Sequence, residues 1–179
     1  MCLPRLALAI ALLVSACIVP AFATDFGRPA TPEEIKLWDI DVRPDGKGLP
    51  TGGGTVAHGK TVYEQNCAVC HGAKGEGGIG DRLVGGQGSL TSDRPVKTIG
   101  SYWPYATTLL DYVRRAMPYQ APGSLSVDDD YAVVAYLLAL NGILPPEGTL
   151  NQESILEIRM PNRDGFVPEP EYRAFLPAR

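Results

Sequence analysis

Apolar residues recur at helical spacing in three segments of the chain, at residues 55–68, 105–116 and 127–141. Helical periodicity of this kind is typical of helices that pack on a core. The third segment is apolar on nearly every face and should therefore be well buried. Since no strand pattern separates these segments, the sequence predicts a mainly α-helical protein.

The ends of the predicted helices carry recognisable signals. Thr55 follows three glycines and should be the N-cap of the first helix. Pro104 should occupy the first helical position of the second. Ser126 and Asp129 form a capping box before the third, and Gly142 should follow its last turn in the left-handed conformation.

The apolar run at residues 6–19 follows Arg5 and is of a different kind. It has about fourteen residues, fewer than the roughly twenty that span a bilayer, so no transmembrane segment is predicted. Residues 21–23, Ala-Phe-Ala, have the form of a cleavage site, which predicts a signal peptide over residues 1–23. The mature chain would begin at Thr24 in the periplasm. The alternative is a lipoprotein anchored through Cys17, because residues 14–17 resemble a lipobox.

Two further segments cannot build a core alone. Residues 24–54 form a predicted N-terminal arm, in which Thr31 and Pro32 open a short helix before a turn-rich stretch. Residues 143–179 form a predicted C-terminal tail broken by prolines. The domain proper is therefore placed at residues 55–142. Both arms are expected either to wrap over this domain or to form a docking surface for a partner.

Charge and composition exclude some functions. The chain has 179 residues, 45% of them hydrophobic and 20% charged, with a formal net charge of −4. A length of this order suggests one domain with tails. Because there is no basic run, nothing in the sequence indicates binding to nucleic acid.

The segment "CAVCHG" carries the clearest chemical signal. Cys67, Cys70 and His71 match the Cys-x-x-Cys-His signature of covalent haem c attachment, in which two thiols bond the porphyrin edge and the histidine ligates iron. A structural zinc site needs four ligands, and a disulfide across so short a loop stabilises little. The sequence thus predicts one covalent haem c with His71 as the proximal ligand, zinc and a disulfide being the alternatives.

Three residues are candidates for the sixth iron ligand. Met117 lies in the loop between the second and third helices, Met160 lies in the polar tail, and His58 lies on the first helix. The loop position favours Met117, because this loop lies before the last long helix, on the far side of the haem motif in chain order. His/Met ligation raises the reduction potential and closes the iron, which favours electron transfer over catalysis at iron.

At this point the chain resembles a known family. "CAVCHG", "RRAMPYQ" and the last long helix are similar to the pattern of class I cytochromes c. Residues 27–60, 88–118 and 159–166 also resemble the cytochrome subunit of bacterial sulfane dehydrogenase and the cytochrome subunits of related sulfite dehydrogenases. This resemblance implies a class I cytochrome c fold around the haem, with extended N- and C-terminal arms.

The resemblance also implies a function. The family partner is a molybdenum-cofactor subunit that oxidises a sulfur compound, and this chain would accept its electrons and pass them to a downstream cytochrome c or oxidase. It would be the electron-transfer subunit of a dehydrogenase complex rather than catalytic by itself. The alternatives are a general periplasmic electron shuttle and, with an open sixth position, a haem enzyme or gas sensor.

Further residues are predicted around the haem. Trp103 is expected either to line the haem crevice, with its Nε1 donating to a propionate, or to pack as ordinary core. Arg82, Arg94 and Lys97 are candidates for balancing the propionate charge. The loop after His71 has no proline, so the carbonyl that holds the imidazole is not identified by sequence.

Overall fold

The computed structural model describes residues 27–167. The predicted signal peptide, Cys17, Thr24 and residues 168–179 lie outside the described residues. The chain divides into two compact units, residues 1–37 and 38–179. Within residues 27–167, no helix combines the length and the hydropathy that crossing a bilayer requires.

The described part of the first unit contains most of helix α1, Pro32–Trp38. The Thr31 backbone N–H donates to Glu34 Oε2 at 2.8 Å, and the Glu34 N–H donates to Thr31 Oγ1 at 3.3 Å. These reciprocal bonds are a capping box. The predicted short helix is therefore confirmed.

Helices form most of the regular structure in the described part of the second unit. The three predicted long helices are all present, and each is within a few residues of the expected range. The elements in chain order are strand β1 (Gly53–Thr55), helices α2 (Val56–Asn66) and α3 (Ala68–His71), a 3₁₀ turn (Ser89–Thr91), helices α4 (Ala106–Ala116) and α5 (Val127–Leu140), strand β2 (Thr149–Asn151) and helix α6 (Ser154–Glu157).

The predicted caps of α2 and α5 are confirmed. Thr55 Oγ1 accepts from the His58 N–H, and Ser126 Oγ accepts from the Asp129 N–H. Gly142 has φ +69° and donates to the Ala139 carbonyl, as expected of a glycine just past a helix end. The position predicted for Pro104 is wrong, because Tyr105 is the N-cap of α4 and Pro104 precedes it.

A small antiparallel sheet joins the two ends of the domain. Gly53 pairs with Asn151 and Thr55 pairs with Thr149. Leu150, which pairs with Gly54, is fully buried. The sheet was not predicted. Both strands have only three residues, and two of the three in β1 are glycines, so neither strand shows an alternating pattern.

Helices α2 and α5 cross at Gly59. A Cβ atom placed on Gly59 would lie 1.8 Å from the carbonyl oxygen of Ala132 and 2.9 Å from Cβ of Tyr136. Backbone atoms therefore occupy the space that any side chain would need. This contact fixes how closely α2, which carries the haem motif at its end, approaches the buried helix α5.

We expect Gly59→Ala to destabilise the protein. In an isolated helix this change stabilises by about 1 kcal/mol, but here the added methyl group forces α2 away from α5, which typically costs about 1–3 kcal/mol. Denaturant unfolding of the haem-loaded protein measures the difference. Lys60→Ala on the exposed face of α2 is the matched control, and equal stability of both variants would contradict the close crossing.

The end of the N-terminal arm, residues 40–50, lies along α4 and α5. The Val42 N–H donates to Asp111 Oδ1 at 2.7 Å, and Arg114 Nη1 donates to the Ile40 carbonyl at 3.1 Å. The Tyr131 hydroxyl donates to the Pro50 carbonyl at 2.9 Å. This part of the arm is thus bound to the helical domain by side chains from two helices.

The described part of the C-terminal tail also packs on the domain. Asn162 Nδ2 donates to the Tyr102 carbonyl at 2.8 Å, and the Arg163 guanidinium lies 4.0 Å from the centre of the Tyr105 ring. Met160 is 1% exposed and belongs to the hydrophobic core. The interpretation of Met160 as a residue of a polar tail is therefore wrong, because the segment from β2 onward folds back and buries this side chain.

Candidate haem site

A cavity of about 470 Å³ lies between α2, α4, α5 and the loop after α3. This volume is within the range of about 300–1,000 Å³ that is typical of ligand and cofactor sites. Most of the lining side chains are apolar. Five of the residues proposed from sequence line this cavity: Cys67, Cys70, His71, Trp103 and Met117.

The two cysteines lie where α2 passes into the single turn of α3. Cys67 ends α2, with its N–H bonded to the Tyr63 carbonyl, and Cys70 lies one helical turn further on. Both are free, half-buried thiols. Burial, with a smaller contribution from Cys70, raises the pKa of Cys67 to about 11. The Cys67 thiol is therefore neutral at pH 7, and both cysteines line the mainly apolar cavity.

The orientation of His71 is set by a backbone carbonyl. His71 Nδ1 lies 2.7 Å from the Asp81 oxygen. Because a carbonyl can only accept, Nδ1 carries the proton and the lone pair of Nε2 is left for a metal. The missing proline in this loop is thus no obstacle, since the Asp81 carbonyl provides the bond.

Gly80 packs flat against the same imidazole. A Cβ atom at this position would lie 2.8 Å from His71 Cε1 and 3.0 Å from Nδ1. The Gly80 N–H donates to the Cys70 carbonyl at 2.8 Å, which ties the loop to the haem motif. Sequence reasoning missed this residue. Nothing in the sequence distinguishes Gly80 from the other glycines of this loop except its position directly before Asp81.

Tyr63 is a second residue that sequence reasoning did not assign to the site. Its hydroxyl donates to the Gly72 carbonyl at 2.7 Å, and its ring lines the cavity. Burial raises the pKa of Tyr63 to about 12, so it remains a neutral donor. This bond holds the chain where it leaves α3 and turns into the glycine-rich loop.

The far end of that loop is held by Asn141, at the end of α5. Asn141 Nδ2 donates to the Leu83 carbonyl and Asn141 Oδ1 accepts from the Gly85 N–H, both at 3.2 Å. The side chain of Gln87 in turn donates to the Asn141 carbonyl. The loop that carries the Asp81 carbonyl is therefore fastened both to the haem motif and to the buried helix.

The three candidates for the sixth ligand occupy different places. Met117 follows the last residue of α4 and lines the cavity. Met160 lies in the core and is not part of the cavity lining. His58 does not line the cavity either, and its Nε2 lies 2.6 Å from Asp129 Oδ1, which links α2 to α5. Met117 is the one candidate whose position meets the cavity, and its role as a ligand stays a prediction.

Trp103 lines the cavity and packs against the core, and donation from its Nε1 to a propionate stays a prediction. Its ring packs edge-on against Tyr112 at 5.7 Å between ring centres. Arg82 and Lys97 also line the cavity, whereas Arg94 does not. Arg82 Nε donates to the Glu76 carbonyl at 3.1 Å, and Lys97 Nζ lies 4.9 Å from the centre of the Tyr102 ring.

These residues fit a covalently attached haem. The cavity brings together two free thiols, an imidazole nitrogen with its lone pair available and a thioether, and the rest of its wall is mainly apolar. When bound, such a group supplies a one-electron redox centre. Cys67 and Cys70 would attach it, His71 would hold the iron through Nε2, and Met117 is the proposed sixth ligand.

Comparison with known proteins also indicates a cytochrome c. A family model described as "Cytochrome C oxidase, cbb3-type, subunit III" matches residues 54–137. A chain in the crystal structure of the sulfane dehydrogenase SoxCD from Paracoccus pantotrophus is 47% identical, with a TM-score of 0.76 over 87% of this chain and 79% of that one. The chain belongs to the class I c-type cytochromes.

The cytochrome is also similar to a curated relative, the thiosulfate dehydrogenase of Stutzerimonas stutzeri. The two are 32% identical over 93 residues, which cover 49% of this chain. The matched part is 28% of the length of that relative. The fold predicted from sequence is therefore confirmed, and the cytochrome is an electron-transfer protein related to chains from sulfur-compound dehydrogenases.

Proposed function

We propose that the cytochrome accepts electrons from a molybdenum-cofactor subunit that oxidises a sulfane or sulfite sulfur compound, and passes them to a downstream cytochrome c or oxidase in the periplasm. The observation that carries this proposal is the extent of the similarity to the chain from the sulfane dehydrogenase. The alignment covers 87% of the chain, whereas the family model covers only residues 54–137. The shared part therefore includes much of the arms.

The surface next to the haem motif supports a protein partner. Val69, Ile79 and Tyr119 are 75%, 92% and 80% exposed. Ile79 and Tyr119 line the cavity together with Cys70, and Val69 directly precedes Cys70. We call these three residues the apolar rim. Because interface cores are depleted of charge and enriched in large apolar side chains, the apolar rim is suited to a docked protein through which electrons enter.

A general shuttle is the second candidate. Removal of the arms would in principle separate the two functions, because a shuttle would not need them. The bonds from residues 40–50 to α4 and α5 make that test uninformative, since the truncated protein would lose part of its fold. A substitution on the apolar rim is the better test, because Ile79 supports no part of the core.

We expect Ile79→Asp to slow electron acceptance from the molybdenum subunit by about tenfold, because a carboxylate must be desolvated in the interface, at a cost of about 1–3 kcal/mol. The measurement is stopped-flow reduction of the oxidised, haem-loaded protein by that subunit, with sulfite and a sulfane sulfur compound in separate runs. Val167→Asp is the matched control, since Val167 is 72% exposed and does not line the cavity. No reduction of the wild type with either compound would contradict the proposed partner.

A further inference from the structure

Asp130 is a buried carboxylic acid that the haem site described above does not use. It lies in the first turn of α5 and is 2% exposed. Its Oδ1 atom has no hydrogen-bond partner. Because an unpaired buried carboxylate is strongly disfavoured, such a group tends to take up a proton rather than remain charged.

Asp130 lies on the face of α5 that is directed toward the haem site. Residues three and seven positions further on, Val133 and Leu137, both line the cavity. Side chains at this spacing share one face of a helix. Asp130 is itself not part of the cavity lining, so it lies behind the wall, one helical turn from a residue that forms it.

The charged groups around Asp130 are few. Arg114 from α4 attracts the carboxylate and Asp129 of the same helix repels it. From α2, His58 is bonded to Asp129. Strands β1 and β2 contain no titratable side chain. Burial outweighs the attraction of Arg114 and raises the pKa of Asp130 to about 7.

We propose that Asp130 is a redox-linked proton site that makes the reduction potential of the cytochrome depend on pH. When the site gains one electron from its donor, it loses one positive charge, and Asp130 takes up one proton from water. When the electron leaves for the acceptor, Asp130 releases that proton. This proposal rests on haem attachment and not on the identity of the partner.

The sign of the pH dependence follows from the charges. The oxidised site carries more positive charge, so it favours the carboxylate and lowers the pKa of Asp130 relative to the reduced site. Between the two pKa values a proton accompanies the electron, and a rise in pH opposes reduction. The potential should therefore fall as pH rises through the neutral range, with a limiting slope of about 59 mV per pH unit for one proton per electron.

Redox titration of the haem-loaded protein between about pH 5 and pH 9 tests this inference. We expect the potential of the wild type to fall with pH and that of Asp130→Asn to fall less steeply, since the amide does not titrate. Asp128→Asn is the matched control, because Asp128 is exposed on the same helix and its remaining oxygen can still accept from the Gly53 N–H. It should keep the wild-type slope. A flat wild type, or an unchanged slope in Asp130→Asn, would overturn the proposal.

A second measurement needs no variant, in case Asp130→Asn does not fold. The infrared difference spectrum between the reduced and oxidised wild-type protein should show a protonated carboxyl C=O stretch that appears on reduction and shifts in deuterium oxide. Its absence would overturn the proposal. Neither experiment involves the dehydrogenase, so failure here and failure of the proposed electron donor are distinguishable.

Discussion

The reduced Met117→Ala protein should bind carbon monoxide, whereas the reduced wild type should not. The thioether of Met117 is expected to fill the sixth position on the iron, and alanine leaves that position open. Ultraviolet–visible spectra of both proteins with and without carbon monoxide make the comparison. Met160→Leu is the control, since it changes a buried methionine that does not line the cavity and conserves its volume.

Met117→His should keep the iron six-coordinate. It therefore tests the effect of the ligand on the potential without opening the iron to carbon monoxide. Because a thioether raises the potential of haem iron relative to a second imidazole, this variant should have a substantially lower potential, within the roughly 0.8 V range that axial ligands set. Each 59 mV is a tenfold change in the equilibrium for electron acceptance. An unchanged potential, or carbon monoxide binding to the wild type, would contradict ligation by Met117.

Replacement of both haem-motif cysteines should abolish covalent attachment. In the Cys67→Ala/Cys70→Ala protein, acid and acetone should extract essentially all of the haem, because only His71 and packing remain to hold it. The wild type and Met160→Leu should retain haem in the precipitated protein. Complete extraction from the wild type would contradict the c-type assignment.

Local signals accounted for much of the site. The spacing of Cys67, Cys70 and His71 depends on five consecutive residues, so a single sequence contains the whole attachment motif. The caps of α2 and α5 are equally local, because a hydroxyl and an N–H three residues apart form each bond. Pro104 was misplaced by a small shift in a helix boundary, which is the least certain part of such a prediction.

Contacts between distant segments were not predictable in the same way. Gly59 is one glycine among twenty, and its closeness to the Ala132 carbonyl depends on how two helices cross. The Asp81 carbonyl that orients His71 is a backbone atom, so no side chain signals its role. Met160 lies in a polar, proline-containing stretch, and its burial follows only from the return of the chain through β2.

Asp130 shows the limit of pattern analysis most clearly. The sequence Asp128–Asp129–Asp130 suggests three equivalent acids in the first turn of a helix. At this end of a helix the dipole stabilises negative charge. In the structure Asp128 binds the Gly53 N–H, Asp129 binds His58, and Asp130 is buried without a partner at Oδ1. Identical side chains in consecutive positions therefore have different chemistry, because helix α5 points each toward a different neighbour.

The sulfur-to-iron charge-transfer band of the oxidised, haem-loaded protein tests the central claim most directly. This band reports a methionine sulfur bonded to haem iron, so it examines the cofactor and its sixth ligand together. We predict that the band is present in the wild type and in Met160→Leu and absent in Met117→Ala. A band that survives in Met117→Ala, or disappears in Met160→Leu, would contradict the assignment of the site.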